Sequence, residues 1–247
     1  MTEQEMADEL HVSIASVSRF WKAAGYRHAK DFKNSLRFRF ESTPSEKMRD
    51  AMQRTGGGSL PQMLLDVASH HLQETSRYLN EVLLQRAVAA LSRAKHIYIY
   101  SPGPCVGLAE LMAYRMARYG LNLKQMAPSG HELMETLMHA GKKDVVLVFG
   151  FVQLLPETEV ILDYAREAGY IVILITDRLV YPRSQDADIV LYAGRGEVWE
   201  FHSMVGPTYI IENLILGVGL LDKDSSLRKL EKLQKLRAQY GGKLPRS

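Results

Sequence analysis

The sequence has a single cysteine, Cys105, in 247 residues. One cysteine cannot form an internal disulfide, and its scarcity is typical of a protein from a reducing compartment. The chain also lacks an apolar run of the roughly 20 residues needed to cross a membrane, because Glu212 and Asn213 interrupt its most apolar stretch. The N-terminus is acidic and polar, unlike a secretory signal. We therefore expect a cytoplasmic protein that binds no membrane.

The chain also has little excess charge of either sign, because its positive and negative residues nearly balance and the net charge is only +3. Residues 11–40 are the exception, with seven cations and one acid, Asp31, which gives this stretch +6. The cationic excess is therefore local. Such a concentrated basic patch is typical of a surface that contacts a nucleic-acid backbone.

Residues 13–25 have the pattern of the second helix of a helix-turn-helix. Ser13 is a good N-cap, because its side-chain oxygen can accept a hydrogen bond from an unpaired amide of the first turn. Gly25 suits the left-handed conformation that often ends a helix. Spacings of three and four residues predict one inward apolar face, formed by Val17, Phe20, Trp21 and Ala24.

The opposite face of this helix is rich in hydroxyl and cationic side chains, as in a helix that lies in a DNA groove. We expect its side chains to face base edges or phosphates, and the cations that follow to make salt-dependent backbone contacts. The predicted contacts to double-stranded DNA are Ser13, Ser16, Ser18, Arg19, Lys22, Arg27, Lys30 and Lys33. The alternative left open is a solvated helical cap that serves only for packing.

The composition changes between residues 42 and 60, where three consecutive glycines occur. Glycine has a high entropy cost of ordering, so this stretch predicts a flexible linker. We therefore expect a DNA-binding domain over 1–41, a linker over 42–60 and a second domain over 61–247. The second domain begins with an apolar stripe at helical spacing, interpreted as two helices joined near Asn80.

Short apolar runs rich in β-branched residues follow, at 96–101, 121–126, 144–150, 170–176 and 188–192. Helical segments separate most of them, and a long apolar helix over 203–221 and a lysine-rich helix come last. Apolar strands that alternate with helices indicate a parallel sheet covered on both faces. The predicted fold is α/β, an open three-layer αβα sandwich with a five-stranded parallel sheet, preceded by a small all-α helix-turn-helix domain.

Ligands of open parallel sheets bind beyond the carboxyl ends of the strands. The loops at 101–107, 150–157 and 176–183 are therefore the candidate site. The first loop is not a dinucleotide fingerprint, because Cys105 occupies the position of its second glycine. It also lacks the Gly-Lys-Ser/Thr ending of a phosphate-binding P-loop.

The whole pattern resembles bacterial transcriptional regulators of the RpiR type, which join a helix-turn-helix domain to a sugar-isomerase (SIS) domain that senses phosphosugars. The family's DNA-reading helix has the form Val-Ser-x-x-Thr-x-x-Arg-Phe-x-x-x-x-Gly. The matching residues are 12–25, Asp31-Phe32-Lys33, Leu36, Ile175-Thr176-Asp177, Ala187-Asp188 and Phe201-His-Ser203. The resemblance implies a homodimer or dimer of dimers on a DNA operator. The family has one more helix ahead of this chain's first residue, so we expect that helix to be missing.

The sensor loops depart from the family pattern. Cys105 stands where SIS domains usually have a serine, and the loop at 150–157 lacks the usual hydroxyls. Pro102 and Pro104 remove two backbone donors. We therefore expect a small carbohydrate derivative that is not a standard sugar phosphate or is held by other groups, with Arg178, Arg183 and Arg195 as candidate substitutes. The predicted ligand contacts are Ser101, Gly103, Cys105, Gly150, Gln153, Arg178 and Ser203.

The other functions considered are isomerase catalysis, metal binding and redox switching. Isomerisation needs a positioned base, and the available acids, Glu132, Glu135, Glu157 and Glu212, have no partner that the sequence identifies. His131, Glu135 and His139 share a helix face but lack a zinc-site spacing. Cys105 is interpreted first as a small loop residue and second as a redox switch. We expect no catalytic residue, metal or cofactor. The alternative function predicted from the sequence is that of a stand-alone carbohydrate-binding or isomerase-like protein without DNA binding.

Overall fold

The computed structural model describes residues 2–32, 43–55, 58–180, 183–197 and 200–244. The chain divides into two units. The first unit comprises Met1–Met63 with Gly196–His202, and the second comprises Leu64–Arg195 with Ser203–Ser247.

The first unit begins with two short capped helices. Helix α1 covers Glu3–Glu9 and starts with a capping box between Thr2 and Glu5. Helix α2 covers Ile14–Ala23, and the Ser13 hydroxyl accepts a hydrogen bond from the Ser16 amide at 3.1 Å, as expected for its N-cap. Gly25 follows with φ +85°, the left-handed conformation that the sequence predicts. Residues 29–32 are helical again.

The core of the first unit is small. Val17 and Trp21 of α2 are buried, and the Trp21 ring stacks on Phe32 with 4.9 Å between the ring centres. The predicted apolar face was too wide, because Phe20 is 55% exposed and Ala24 is also exposed. A stripe through positions 17 and 21 suffices for a core of this size, and Phe20 only meets the edge of Trp21.

The predicted flexible linker over 42–60 is wrong for its central part, where helix α3 covers Pro44–Thr55. Thr43 and Glu46 cap this helix reciprocally. The Glu46 carboxylate accepts from the Thr43 amide at 2.7 Å, and the Thr43 hydroxyl accepts from the Glu46 amide at 3.3 Å. Proline suits the first position of a helix, because that amide would have no helical partner. The reciprocal cap and the proline favour a helix here, although the glycine-rich composition of residues 42–60 favours a flexible segment.

Helix α4 covers Leu60–Tyr78, so the division between the two units falls within a continuous helix. Helix α5 covers Glu81–Arg93. The Asn80 side chain accepts hydrogen bonds from the amides of Val82 and Leu83 at 3.0 and 3.1 Å. The predicted pair of helices joined near Asn80 is confirmed.

The second unit contains a five-stranded sheet in the order β2-β1-β3-β4-β5, and every neighbouring pair is parallel. The strands are β1 Ile97–Tyr100, β2 Leu123–Gln125, β3 Val145–Phe149, β4 Ile171–Thr176 and β5 Ile189–Tyr192. Each lies inside one of the apolar runs of the sequence. The three central strands are almost wholly buried, as expected for a parallel sheet covered on both faces.

Helices cover the two faces of this sheet and create two hydrophobic cores. The remaining helices are α6 Val106–Met116, α7 Gly130–Leu137, α8 Pro156–Ala168, α9 Val205–Leu221 and α10 Lys223–Tyr240. Residues of α5, α6 and α9 pack on one face, and residues of α7 and α8 pack on the other. The three-layer αβα sandwich is confirmed.

No single helix among the described residues is long and apolar enough to cross a membrane. Helices α9 and α10 meet that test of length and composition only when taken together, and they are bent by 100°.

Candidate functional site

Several polar groups of the loop after β1 are absent or already bonded within the protein. Pro102 and Pro104 have no amide hydrogen, and the Cys105 amide donates to the Pro102 carbonyl at 3.3 Å. The Ser101 hydroxyl accepts a hydrogen bond from the Gln125 side chain at 3.0 Å. Burial raises the pKa of the Cys105 thiol to about 11, with a further rise from Asp177 and an opposing effect of Arg195.

The loop after β3 is held by its own packing and hydrogen bonds. A Cβ at Gly150 would lie 2.6 Å from a methyl carbon of Leu154, so this position has no room for a side chain. Val152 has φ +65°, which is unusual for a β-branched residue. Its amide donates to the Asp177 carboxylate at 2.8 Å, and its carbonyl accepts from Arg178 Nε at 3.0 Å. Gln153 is exposed.

The N-terminus of α8 is already occupied by groups of the protein. Pro156 has no amide hydrogen, and the amides of Thr158 and Glu159 both donate to the Leu155 carbonyl, at 2.9 and 3.2 Å. The Glu157 carboxylate lies in the first turn and accepts from the Ser129 hydroxyl at 2.7 Å, a hydrogen bond that lowers the Glu157 pKa. A helix N-terminus is a ready anion site, but this one already carries an internal carboxylate.

A buried ion pair lies at the same edge of the sheet. Nη1 of Arg195 is 3.7 Å from Oδ2 of Asp177, and both side chains are less than one-tenth exposed. The Arg195 guanidinium also lies over the Phe151 ring, 4.3 Å from its centre. Burial raises the pKa of Asp177 and lowers that of Arg195. Nε of Arg195 is buried and has no hydrogen-bond partner among the described residues.

The backbone around Arg195 is fixed from several sides. The Ala193 amide donates to the Thr176 carbonyl at 2.8 Å, and the Gly194 amide donates to the Thr75 hydroxyl at 2.9 Å. The Ser203 amide donates to the Arg195 carbonyl at 3.1 Å. The backbone is therefore anchored on both sides of Arg195, while Phe151 and Asp177 contact the guanidinium itself.

The structure places the ligand residues predicted from sequence at the carboxyl edge of the sheet, with different roles. Gly103 takes φ +59° in a turn, and the Ser203 hydroxyl accepts from the Val205 amide at 3.2 Å. Arg183, a candidate substitute for the usual phosphate-binding groups, is paired with Asp163 and Asp186. Asp177 and Phe151 are not among the site residues predicted from the sequence. Asp177 belonged to a recognised family motif, but its contact with Arg195 is a tertiary feature.

The predicted DNA-contact residues of the first unit lie mainly on its surface. Arg19, Lys22 and Lys30 are exposed, whereas Ser16 and Ser18 are half-buried. The Ser13 hydroxyl is 2.9 Å from the Ser16 hydroxyl, to which Arg19 also donates at 3.4 Å. Lys33 lies outside the described residues.

Arg27 is already engaged within the first unit. Its Nε and Nη2 atoms donate to the Asp31 carboxylate at 3.2 and 2.8 Å, and its amide donates there at 3.0 Å. These bonds lower the Asp31 pKa to about 2. The charge of Arg27 is therefore partly neutralised by Asp31, the one acid of residues 11–40.

A separate cavity of about 710 Å³ contains Glu132, Glu135 and His139 among its lining residues. Among the described residues, no group of three or more His, Cys, Asp or Glu side chains is placed to hold a metal ion.

The SIS domain family matches residues 90–212, which contain the sheet and the buried ion pair. The sheet of the second unit and its flanking helices therefore have the SIS fold. An uncharacterised helix-turn-helix (HTH) transcriptional regulator of Haemophilus influenzae is 22% identical over 194 residues, which cover 77% of this chain and 67% of the relative.

Two solved SIS structures share the fold. The sugar isomerase domain of an RpiR transcription factor from Sphaerobacter thermophilus has a TM-score of 0.65 and 23% identity, covering 71% of this chain and 98% of that one. The Vibrio vulnificus NanR protein, complexed with ManNAc-6P, has a TM-score of 0.65 and 18% identity, covering 97% of this chain and 86% of that one. These structures confirm the SIS fold that the resemblance to RpiR-type regulators implies.

Proposed function

We propose that this SIS protein is a cytoplasmic transcriptional regulator that binds double-stranded DNA through its first unit and a small carbohydrate derivative through its SIS domain. The observation that carries the proposal is the exposed cationic side of the capped helix α2, with Arg19 and Lys22 at its surface. Similarity to a helix-turn-helix regulator and to RpiR and NanR structures supports it.

The DNA contacts in this proposal are of two kinds. Ser16, Ser18, Arg19 and Lys22 face base edges or nearby phosphates, whereas Arg27 and Lys30 contact the backbone. Lys33 is included among the backbone contacts because it belongs to the basic stretch at residues 11–40. A homodimer presents two copies of α2 to a two-fold operator, and ligand binding shifts the dimer between two arrangements.

The SIS domain acts as a sensor and not as an isomerase in this proposal. Aldose–ketose isomerisation requires a base near the substrate. Glu157, the acid closest in sequence to the β3 loop, is hydrogen-bonded to Ser129. The candidate ligand residues Ser101, Cys105 and Ser203 surround the site without forming an obvious acid–base pair.

A gel-shift titration with promoter fragments tests DNA binding. Arg19→Ala is expected to weaken binding by about 1 kcal/mol or more, because Arg19 is an exposed cation on the groove-facing side of α2. Arg93→Ala is the matched control, since it removes an exposed arginine of α5 in the SIS domain. Equal affinities of the two variants remove Arg19 from the DNA contacts. Absence of binding by the unmodified chain at low ionic strength overturns the proposal.

A further inference from the structure

The carboxyl edge of the SIS sheet combines one buried guanidinium with several backbone donors that are absent or already engaged. The first turns of α6 and α8 would ordinarily offer amides to a phosphate. Here the Cys105 amide, just before α6, and the Thr158 and Glu159 amides of α8 donate to carbonyls of the protein. Two prolines in the first loop and one at the start of α8 remove further donors. A phosphomonoester dianion needs several donors to offset its desolvation.

The Arg195 guanidinium is a buried donor group of this edge that its protein partners satisfy only in part. Arginine has five N–H donors in a planar fork, and in the described residues its one charged partner is Asp177 at the long distance of 3.7 Å. The Nε donor is buried without a partner. Buried donors without partners are costly, so the arrangement favours an additional acceptor at this position.

The charge around Arg195 limits which acceptor fits. Asp177 is held in place by the Val152 amide and repels a second anion. Another carboxylate, that of Glu74, lies beside the same backbone: its Oε2 is 2.6 Å from the position that a Cβ would take at Gly194. The repulsion by these carboxylates and the attraction by Arg195 both double for a group with two negative charges. Such a group also requires more hydrogen-bond donors to offset its desolvation. A planar carboxylate also matches the guanidinium fork.

We propose that the SIS domain recognises a carbohydrate with a single carboxylate, a sugar acid, which Arg195 binds in place of its long contact with Asp177, and that it discriminates against sugar phosphates. This inference rests on the proposed sensing function and names its ligand class. Phe151 keeps the guanidinium in place through its ring face. The anchored backbone of residues 193–195 keeps the reorganisation on binding small.

Calorimetric titration of the full chain with three matched series tests the inference. The series are glucose, galactose and mannose, each as the neutral hexose, the hexuronate and the hexose 6-phosphate. At least one hexuronate is expected to bind about tenfold or more tightly than the 6-phosphate of the same sugar, a difference of about 1.4 kcal/mol. Tighter binding of the 6-phosphate than of the hexuronate in every series that binds overturns the inference. Failure of every hexuronate to bind also overturns it.

Two variants separate the roles of the ion pair. Arg195→Gln is expected to lower hexuronate affinity at least about tenfold. The control is Arg183→Gln, which removes an arginine that is paired with Asp163 and Asp186. It should leave hexuronate affinity unchanged. Asp177→Asn retains an acceptor for the Val152 amide and removes the repelling charge, so it should raise 6-phosphate affinity. If Arg195→Gln fails to fold, Asp177→Asn decides: unchanged 6-phosphate affinity refutes the role of charge.

DNA binding by the same preparations distinguishes the two proposals. A chain that binds promoter fragments but prefers sugar phosphates contradicts only the sugar-acid assignment. A chain that binds a hexuronate but no DNA contradicts the regulator proposal and leaves the ligand class intact.

Discussion

Gly206 of α9 lies against Gly194, so that a Cβ at position 206 would be 2.2 Å from the Gly194 carbonyl oxygen and 2.9 Å from the Thr75 hydroxyl. This close approach joins the start of α9 to the backbone that carries Arg195. The site therefore depends on a backbone contact that only glycine at position 206 allows.

Gly206→Ala is expected to destabilise the SIS domain by about 2 kcal/mol or more, because the added methyl group meets a backbone oxygen that cannot turn away. Gly107→Ala is the control, since a Cβ at that helical position meets nothing within 4 Å. This second change should be neutral or slightly stabilising. Urea unfolding followed by circular dichroism measures both. Equal midpoints for the two variants would contradict the close approach.

Trp21 anchors the small core of the first unit, but its indole Nε1 is buried without a hydrogen-bond partner among the described residues. Trp21→Phe keeps an aromatic ring and removes that unpaired donor, so its cost should stay below about 1 kcal/mol. Trp21→Ala leaves a cavity and should cost about 3–5 kcal/mol. Hydrogen exchange of the α2 amides reports both changes.

Phe20→Ala is the matched control in the same helix, because the Phe20 ring is 55% exposed. We expect it to change exchange protection much less than Trp21→Ala does. Comparable losses of protection in Phe20→Ala and Trp21→Ala would show that Phe20 also belongs to the core, as the sequence predicts.

The sheet could be predicted from sequence because its strands are nearly continuous runs of β-branched residues, such as Ile171–Thr176. Helix α3 was predictable too, since Thr43-Pro-Ser-Glu46 has the form of a capping box with proline at the first helical position. The linker interpretation came from the three glycines at 56–58, which follow this helix in the sequence. The Asp177–Arg195 pair was not predictable, because its residues belong to different loops that only the sheet brings together.

Asp31→Asn is expected to strengthen DNA binding, because it releases Arg27 and raises the charge of the basic stretch by one. The slope of log affinity against log salt should steepen by up to about 0.9, the change for one additional phosphate contact. Asp8→Asn in α1 is the control: that carboxylate accepts from the Gln4 side chain and has no arginine partner in the described structure. An unchanged affinity and slope for Asp31→Asn would show that Arg27 makes no DNA contact.

The Cys105 thiol is expected to be unreactive in the folded protein. It is 2% exposed, and burial raises its pKa to about 11. The thiolate is the reactive form, so alkylation by iodoacetamide at pH 8 should be at least about tenfold slower than in the urea-unfolded chain. Fast alkylation of the folded chain would favour the redox-switch interpretation.

The same pKa difference predicts how stability changes with pH. The unfolded thiol loses its proton near pH 9 and the folded thiol near pH 11, so the folded state binds more protons between these values. Unfolding becomes more favourable as pH rises whenever the folded state holds the extra proton. The contribution of Cys105 to stability is therefore fully present below pH 9 and is lost between pH 9 and 11. Cys105→Ala removes this titration, so its urea midpoint should fall less steeply over that range than that of the unmodified chain.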